Sequence, residues 1–162
     1  MNAKSSAAIL SSGMDAPDFS LPREDGSTIS LKDFAGQKLV IFFYPRANTP
    51  GCTREAIDFS RLNQDFEQAD TAVIGVSADP PKKQQSFRDK HELTVPLGSD
   101  TSHEMLVRYG VWGPKTLYGK LFDGITRTTV LIDRDGRISR IWTKVKVEGH
   151  AEEVLAAAKS LP

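Results

Sequence analysis

Leu39-Val40-Ile41-Phe42-Phe43-Tyr44-Pro45-Arg46-Ala47-Asn48-Thr49-Pro50-Gly51-Cys52-Thr53-Arg54-Glu55 is the stretch that decides the architecture. Its first six residues form an unbroken run of branched and aromatic side chains closed by Pro45 and Asn48, the pattern of a buried β-strand. Beyond it, Ala56, Phe59, Leu62 and Phe66 recur at three- and four-residue steps, which predicts a helix. Cys52 therefore falls at a strand–loop–helix junction, in the first helical turn. Backbone N–H groups ahead of the hydrogen-bond ladder and the positive end of the helix dipole favour an anion there. A cysteine so placed is a better nucleophile than one in open chain.

The helix end alone is too weak for full activation. A free thiol is only a few per cent thiolate at pH 7, and making the anion the majority form takes about 2.7 kcal/mol of preferential stabilisation. A helix N-terminus contributes about 0.3–1 kcal/mol, more when partly buried. A cation and a hydroxyl donor must supply the remainder. Thr49 offers the hydroxyl. The cation comes from this segment (Arg46, Arg54) or from elsewhere in the chain.

Working outward, residues 16–21 and 27–31 flank Asp25-Gly26 and predict an N-terminal β-hairpin. Residues 71–77 read as a second core strand. Asp79-Pro80 predicts a helix start, with Asp79 as N-cap and Pro80 in the first position, running to about residue 91. Residues 95–97 are a short extended piece. Thr101-Ser102-His103-Glu104 fits a capping box opening a helix to about 109. The aromatic, glycine-rich residues 110–124 read as a loop. Residues 128–132 and 137–143 make a hairpin around Asp133-Arg134-Asp135-Gly136. Residues 150–161 form a closing helix with Val154, Leu155, Ala158 and Leu161 inward. Strand–helix units followed by a hairpin and a last helix predict an α/β fold, a mixed central sheet flanked by helices.

With 162 residues the chain is one domain with a sizeable core, residues 1–13 a loose Ser/Ala-rich arm. Twenty-one basic and twenty-one acidic residues balance to zero net charge, so no nucleic acid and no membrane is expected as partner. One cysteine excludes an internal disulfide and a Cys-rich zinc site, and it suits the reducing cytoplasm. No signal-peptide core or transmembrane run is read in the sequence. His91, His103 and His150 lack metal-ligand spacing and read as surface or capping residues.

Pro45, Thr49 and Cys52 match the Pro-x-x-x-Thr-x-x-Cys pattern of peroxiredoxins. The longer Tyr-Pro-x-x-x-Thr-x-Gly-Cys-Thr form resembles the bacterioferritin comigratory, or peroxiredoxin Q, subgroup. Residues 124–133, Gly-Ile-Thr-Arg-Thr-Thr-Val-Leu-Ile-Asp, look like the segment bearing that family's active-site arginine, here Arg127. Glu55, three residues after the cysteine, stands where family members hold that arginine with an acidic group. Residues 109–120 also resemble the subgroup, with Trp112 expected to pack in an aromatic wall near the site.

The resemblance implies a thioredoxin-like fold and a thiol-dependent peroxidase. Cys52 thiolate would attack a hydroperoxide, with Thr49, Arg127 and the Cys52 N–H gripping the oxygens, Glu55 holding Arg127 and Pro45 shielding the sulfur. No haem, flavin or metal cofactor is implied. The subgroup often carries a resolving cysteine, five residues after the first or in the following helix. Here those positions are Ile57 and Arg88, so the expectation is a one-cysteine enzyme. Its sulfenic acid would need an external thiol, thioredoxin or glutathione with glutaredoxin, and a monomer or weak dimer is implied. A dithiol oxidoreductase would need Cys-x-x-Cys, but Thr49 opens Thr49-Pro50-Gly51-Cys52. The alternative from another class is a peroxide-sensing or chaperone-like thiol protein without efficient turnover.

Overall fold

The computed structural model describes residues 10–162. Strand β3 (Lys38–Phe43) is buried along its whole length, as its apolar run requires. It lies at the centre of a five-stranded sheet between β4 (Thr71–Ser77) and β8 (Thr128–Ile132), and β5 (Leu97–Ser99) and β9 (Ile138–Thr143) form the edges. β3, β4 and β5 run parallel, whereas β8 pairs antiparallel with both β3 and β9. A mixed sheet results.

The two-residue period of β3 distributes the core. Val40, Phe42 and the following Tyr44 face one apolar cluster, with Ala56 and Phe59 of α1 (Pro50–Arg61), Phe66 of α2 (Asn63–Gln68), Phe87 of α3 (Pro81–Lys90) and Val154 of α5 (His150–Ser160). Leu39, Ile41 and Phe43 face the other, with Met105 and Leu106 of α4 (Glu104–Arg108) and the hairpin of β1 (Ser20–Pro22) and β2 (Thr28–Ser30). Helices thus cover both faces of a thioredoxin-like α/β fold. Phe42 stacks on Phe59 at 4.6 Å between centroids, seating α1 against the sheet. Its ring lies over Gly75, where an added Cβ would come within 2.7 Å of it.

Several sequence expectations shift. Residues 110–124 are not a loop: β6 (Trp112–Leu117) and β7 (Lys120–Ile125) pair as an antiparallel hairpin with Trp112 opposite Ile125. Trp112 stacks on the His103 ring at 3.9 Å and, with Tyr109, belongs to the cluster that does not contain Cys52. The capping box at Thr101 does not form. His103, left-handed at φ 68°, is the N-cap, and Asp100 accepts instead from the Leu106 N–H at 2.8 Å. The helix after Cys52 breaks at Leu62, yet Phe66 stays inward, so the apolar period runs on unbroken. Of the expected loose arm, residues 1–9 lie outside the described residues. Gly13 donates its N–H to Ile138 O at 2.7 Å, and Leu10 packs against the second cluster. That end of the arm is docked because it extends the β9 edge.

Candidate active site

Loop residues 44–49 carry the chain from β3 into α1. Thr49 is the N-cap of α1, with Pro50 in the first position. The first helical bond runs from Thr53 N–H to Thr49 O, at 2.9 Å. The N–H groups of Gly51 and Cys52 lie ahead of that ladder and point out of the helix end. Cys52 itself is 1% exposed and shares the apolar cluster with Tyr44, Ala47 and Ala56.

Arg127, at the mouth of β8, crosses the sheet end to reach it. Its Nη2 donates to Cys52 Sγ at 3.3 Å and its Nη1 to Glu55 Oε1 at 2.6 Å. One guanidinium fork thus spans the sulfur and the carboxylate one helical turn later. Gly51 makes room for it: a Cβ there would stand 3.2 Å from Arg127 Nη2. Burial works against the charge of Arg127, but Glu55 and Cys52 outweigh it and hold the guanidinium above its ordinary value.

Glu55 is 1% exposed, and its second oxygen, Oε2, has no partner among the described residues. Burial pushes Glu55 up to about 7, against the pull of Arg127. Pro45 is half-buried at the loop start. Thr49 differs from expectation in its hydrogen bond. Its hydroxyl donates to Arg46 O at 2.9 Å and so is not spent on the sulfur. The Thr49 oxygen can still accept a hydrogen bond through its lone pairs. Arg46 and Arg54, the nearby cations in sequence, are exposed and take no part in this fork.

Two residues escaped the sequence reading. Asp79, expected as the α3 N-cap, leaves that position to Pro80 and accepts instead from the Ala47 N–H at 2.7 Å. His150, expected as a surface or capping residue, opens α5 but is buried, with its Nε2 2.8 Å from Thr129 Oγ1 and its ring edge-on to Phe59 and Trp142. No local motif signals the bond from Asp79 to Ala47 or from His150 to Thr129, because each of these partners lies far away in sequence. Burial pushes His150 down to about 4, with Glu153 opposing and Arg127 adding.

These two buried groups give opposite pH dependences of stability. His150 titrates near 6.5 when unfolded and about 4 when folded, so the unfolded chain binds more protons between those values and stability falls as pH drops. Glu55 titrates near 4.5 unfolded and about 7 folded, so its contribution is full below 4.5 and is lost as pH rises through 7. Each is worth on the order of 3 kcal/mol across its window. Denaturant unfolding of Glu55→Gln between pH 4.5 and 6.5 should therefore show stability rising with pH more steeply than wild type. His150→Asn should show the reverse. Parallel profiles in all three proteins would contradict both assignments.

A thioredoxin-like scaffold that presents a lone thiol at a helix N-terminus, backed by an arginine–glutamate pair, is that of a thiol peroxidase. The chain belongs to the AhpC/TSA family, whose profile matches residues 12–141. It is similar to peroxiredoxin Bcp of Bacillus subtilis, 41% identical over 149 residues, 92% of this chain and 95% of the relative. It matches peroxiredoxin Bcp of Escherichia coli at 41% over 146 residues, 90% of this chain and 94% of the relative. Among solved structures it resembles the Xanthomonas campestris bacterioferritin comigratory protein, described for its alkyl peroxide reduction activity, at TM-score 0.87 and 38% identity, covering 93% of this chain and 98% of that one. A cysteine-to-serine variant of Xylella fastidiosa peroxiredoxin Q matches at TM-score 0.89 and 37% identity, covering 94% and 98%. Within the family this is a one-cysteine peroxiredoxin of that subgroup, an enzyme that consumes a peroxide and a thiol reductant. Ile57, where many members of that subgroup place a resolving cysteine, is exposed, and Arg88 donates to Val95 O at 3.2 Å.

Proposed function

We propose that Cys52 is the peroxidatic sulfur, acting on hydrogen peroxide and organic hydroperoxides. The thiolate attacks the terminal peroxide oxygen. An S–O bond forms, the O–O bond breaks, sulfur is oxidised by two electrons to sulfenic acid, and the departing alkoxide takes a proton to leave as alcohol or water. Negative charge moves from sulfur to the leaving oxygen along this path. Arg127 and the Cys52 N–H are donors fixed in advance at that charge, so they lower the barrier without reorganising. Thr49, its own proton engaged by Arg46 O, accepts the O–H of the incoming hydroperoxide and orients it. Glu55 anchors the second arm of Arg127. Pro45 limits water at the sulfur and with it further oxidation.

The observation that carries this reading is the fork of Arg127, with Sγ at 3.3 Å and Oε1 at 2.6 Å. With a single cysteine in the chain, the sulfenic acid awaits an outside thiol. We assign that role to thioredoxin or to glutathione with glutaredoxin, in the cytoplasm, with the chain working as one domain and as a monomer or weak dimer in antioxidant turnover. Among the described residues no helix is long and apolar enough to cross a membrane.

One experiment tests both halves. Peroxide treatment without thiol should add one oxygen to the intact mass, or a thiol adduct once thiol follows. Turnover should then appear with one of the two reducing systems. Loss of two hydrogens at unchanged oligomer size would contradict the one-cysteine cycle. Oxidation that stops after one equivalent with every reductant would favour the peroxide-sensing alternative.

A further inference from the structure

The loop that delivers Thr49 and Cys52 is held from outside by a polar ring that none of the reacting residues joins. Ala47 donates its N–H to Asp79 Oδ2 at 2.7 Å, and Ser77 Oγ donates to the same oxygen at 2.7 Å. Ser77 Oγ in turn accepts from Gln84 Nε2 at 3.0 Å and from the Asp79 N–H at 3.2 Å. Gln84, fully buried on α3, also donates to Gly98 O at 2.9 Å and accepts from the Tyr44 hydroxyl. The path Tyr44–Gln84–Ser77–Asp79–Ala47 therefore leaves the active-site loop at its first residue and returns to it three residues later. It passes through the end of β4 and the first turns of α3.

The loop needs such a hold. Asn48 sits at φ 66°, a left-handed turn that redirects the chain into α1. Within the loop the Thr49–Arg46 bond is local. Apart from the first bond of α1, which Thr49 O accepts from Thr53 N–H, the bond from Ala47 to Asp79 is, among the described residues, the hydrogen bond that ties residues 45–49 to a different element. A carboxylate accepting a backbone N–H is a charge-assisted bond, and here it lies one residue before the turn and five before the sulfur.

We propose that Asp79 is a positioning residue for peroxide reduction: its carboxylate, oriented by Ser77 and Gln84, fixes the 45–49 loop so that Thr49 and the start of α1 meet the peroxide in register. It rests on the assignment of Cys52 as the peroxidatic sulfur. Asp79 does not touch the reacting atoms. It acts on where the peroxide lies and leaves the intrinsic reactivity of the sulfur alone. Reaction with a hydroperoxide needs the aligned loop, whereas alkylation by iodoacetamide needs only a reachable thiolate.

The test is the split between those two rates. In Asp79→Ala the second-order rate of Cys52 oxidation by hydrogen peroxide should fall between about tenfold and about a hundredfold, as for a misplacement of the order of an ångström. Iodoacetamide alkylation should stay within about threefold of wild type, since it asks nothing of the loop's alignment. Asp79→Asn, whose amide oxygen can still accept from Ala47 N–H, should recover peroxide reactivity to within about threefold. Ser77→Ala, which leaves Asp79 in place but unoriented, should fall in between, so the proposal stays testable if Asp79→Ala folds poorly.

A peroxide rate in both alanine variants equal to wild type would overturn the proposal. So would a parallel loss of both reactions, or an Asp79→Asn variant as slow as Asp79→Ala. A wild-type protein that reacts with peroxide no faster than free cysteine would sink the assignment of Cys52 instead, and the two failures are told apart by that control.

Discussion

Cys52→Ser should abolish peroxide turnover, leaving less than about 1% of wild-type activity in a reductant-coupled assay. A serine hydroxyl is not ionised near neutral pH, and oxygen cannot pass through the thiolate-to-sulfenic-acid change that carries the two electrons. The chain holds no second sulfur nucleophile that can take over, because Cys52 is its one cysteine. The variant should fold. Serine is slightly smaller than cysteine, and in place of sulfur its hydroxyl can accept from Arg127 Nη2. The loss is therefore of chemistry and not of structure, which a near-wild-type unfolding midpoint would establish. Turnover approaching that of wild type would remove sulfur from the mechanism and leave the guanidinium fork without a catalytic purpose.

How much of this was legible in the sequence varies by element. The β3–loop–α1 unit announced itself, because a strand buried on both faces reads as an apolar run, here Leu39 to Phe43, and the following helix must be apolar on one face. The hairpin of β6 and β7 did not. Leu117, Tyr118, Leu121 and Phe122 are exposed, so neither strand alternates against a core, and Gly113, Pro114 and Gly124 argue for a loop on propensity alone. Pairing between the strands forms it, and a linear reading does not register that.

The active site divides in the same way. Cys52 and Thr49 are local to one motif and follow from it. Arg127 lies 75 positions from Cys52 and Glu55 72 positions from Arg127, so only the family resemblance could bring them together. Asp79 shows the limit. An Asp before Pro80 is a sound N-cap signal, and the loop amide of Ala47 won the carboxylate because the fold carries the two within 2.7 Å. Thr49 was expected to spend its hydroxyl at the sulfur, and the hydroxyl instead donates to a carbonyl of its own loop.

Arg127→Ala should slow the peroxide step by at least ~10²-fold, the usual cost of losing one donor aimed at developing charge. It removes the fork from Sγ and Oε1 together, so it should also disturb stability, and the sign of that effect depends on pH. Cutting one partner from a buried ion pair costs about 3–5 kcal/mol when the remaining charge cannot neutralise. Glu55 can: burial already pushes it up to about 7, and Arg127 is the group that pulls against that rise. A carboxyl raised in the folded state is stabilising while protonated and loses that contribution as pH rises through its folded value. The variant should thus lose little stability at pH 6 and more at pH 8, a difference that denaturant titration at the two values reads directly. Arg127→Lys restores the charge without the fork. One ammonium cannot hold Sγ and Oε1 in the same planar geometry, and the variant should remain at least about tenfold slow. A rate loss below about threefold in Arg127→Ala would take the guanidinium out of the transition state, whatever its distance from sulfur in the resting protein.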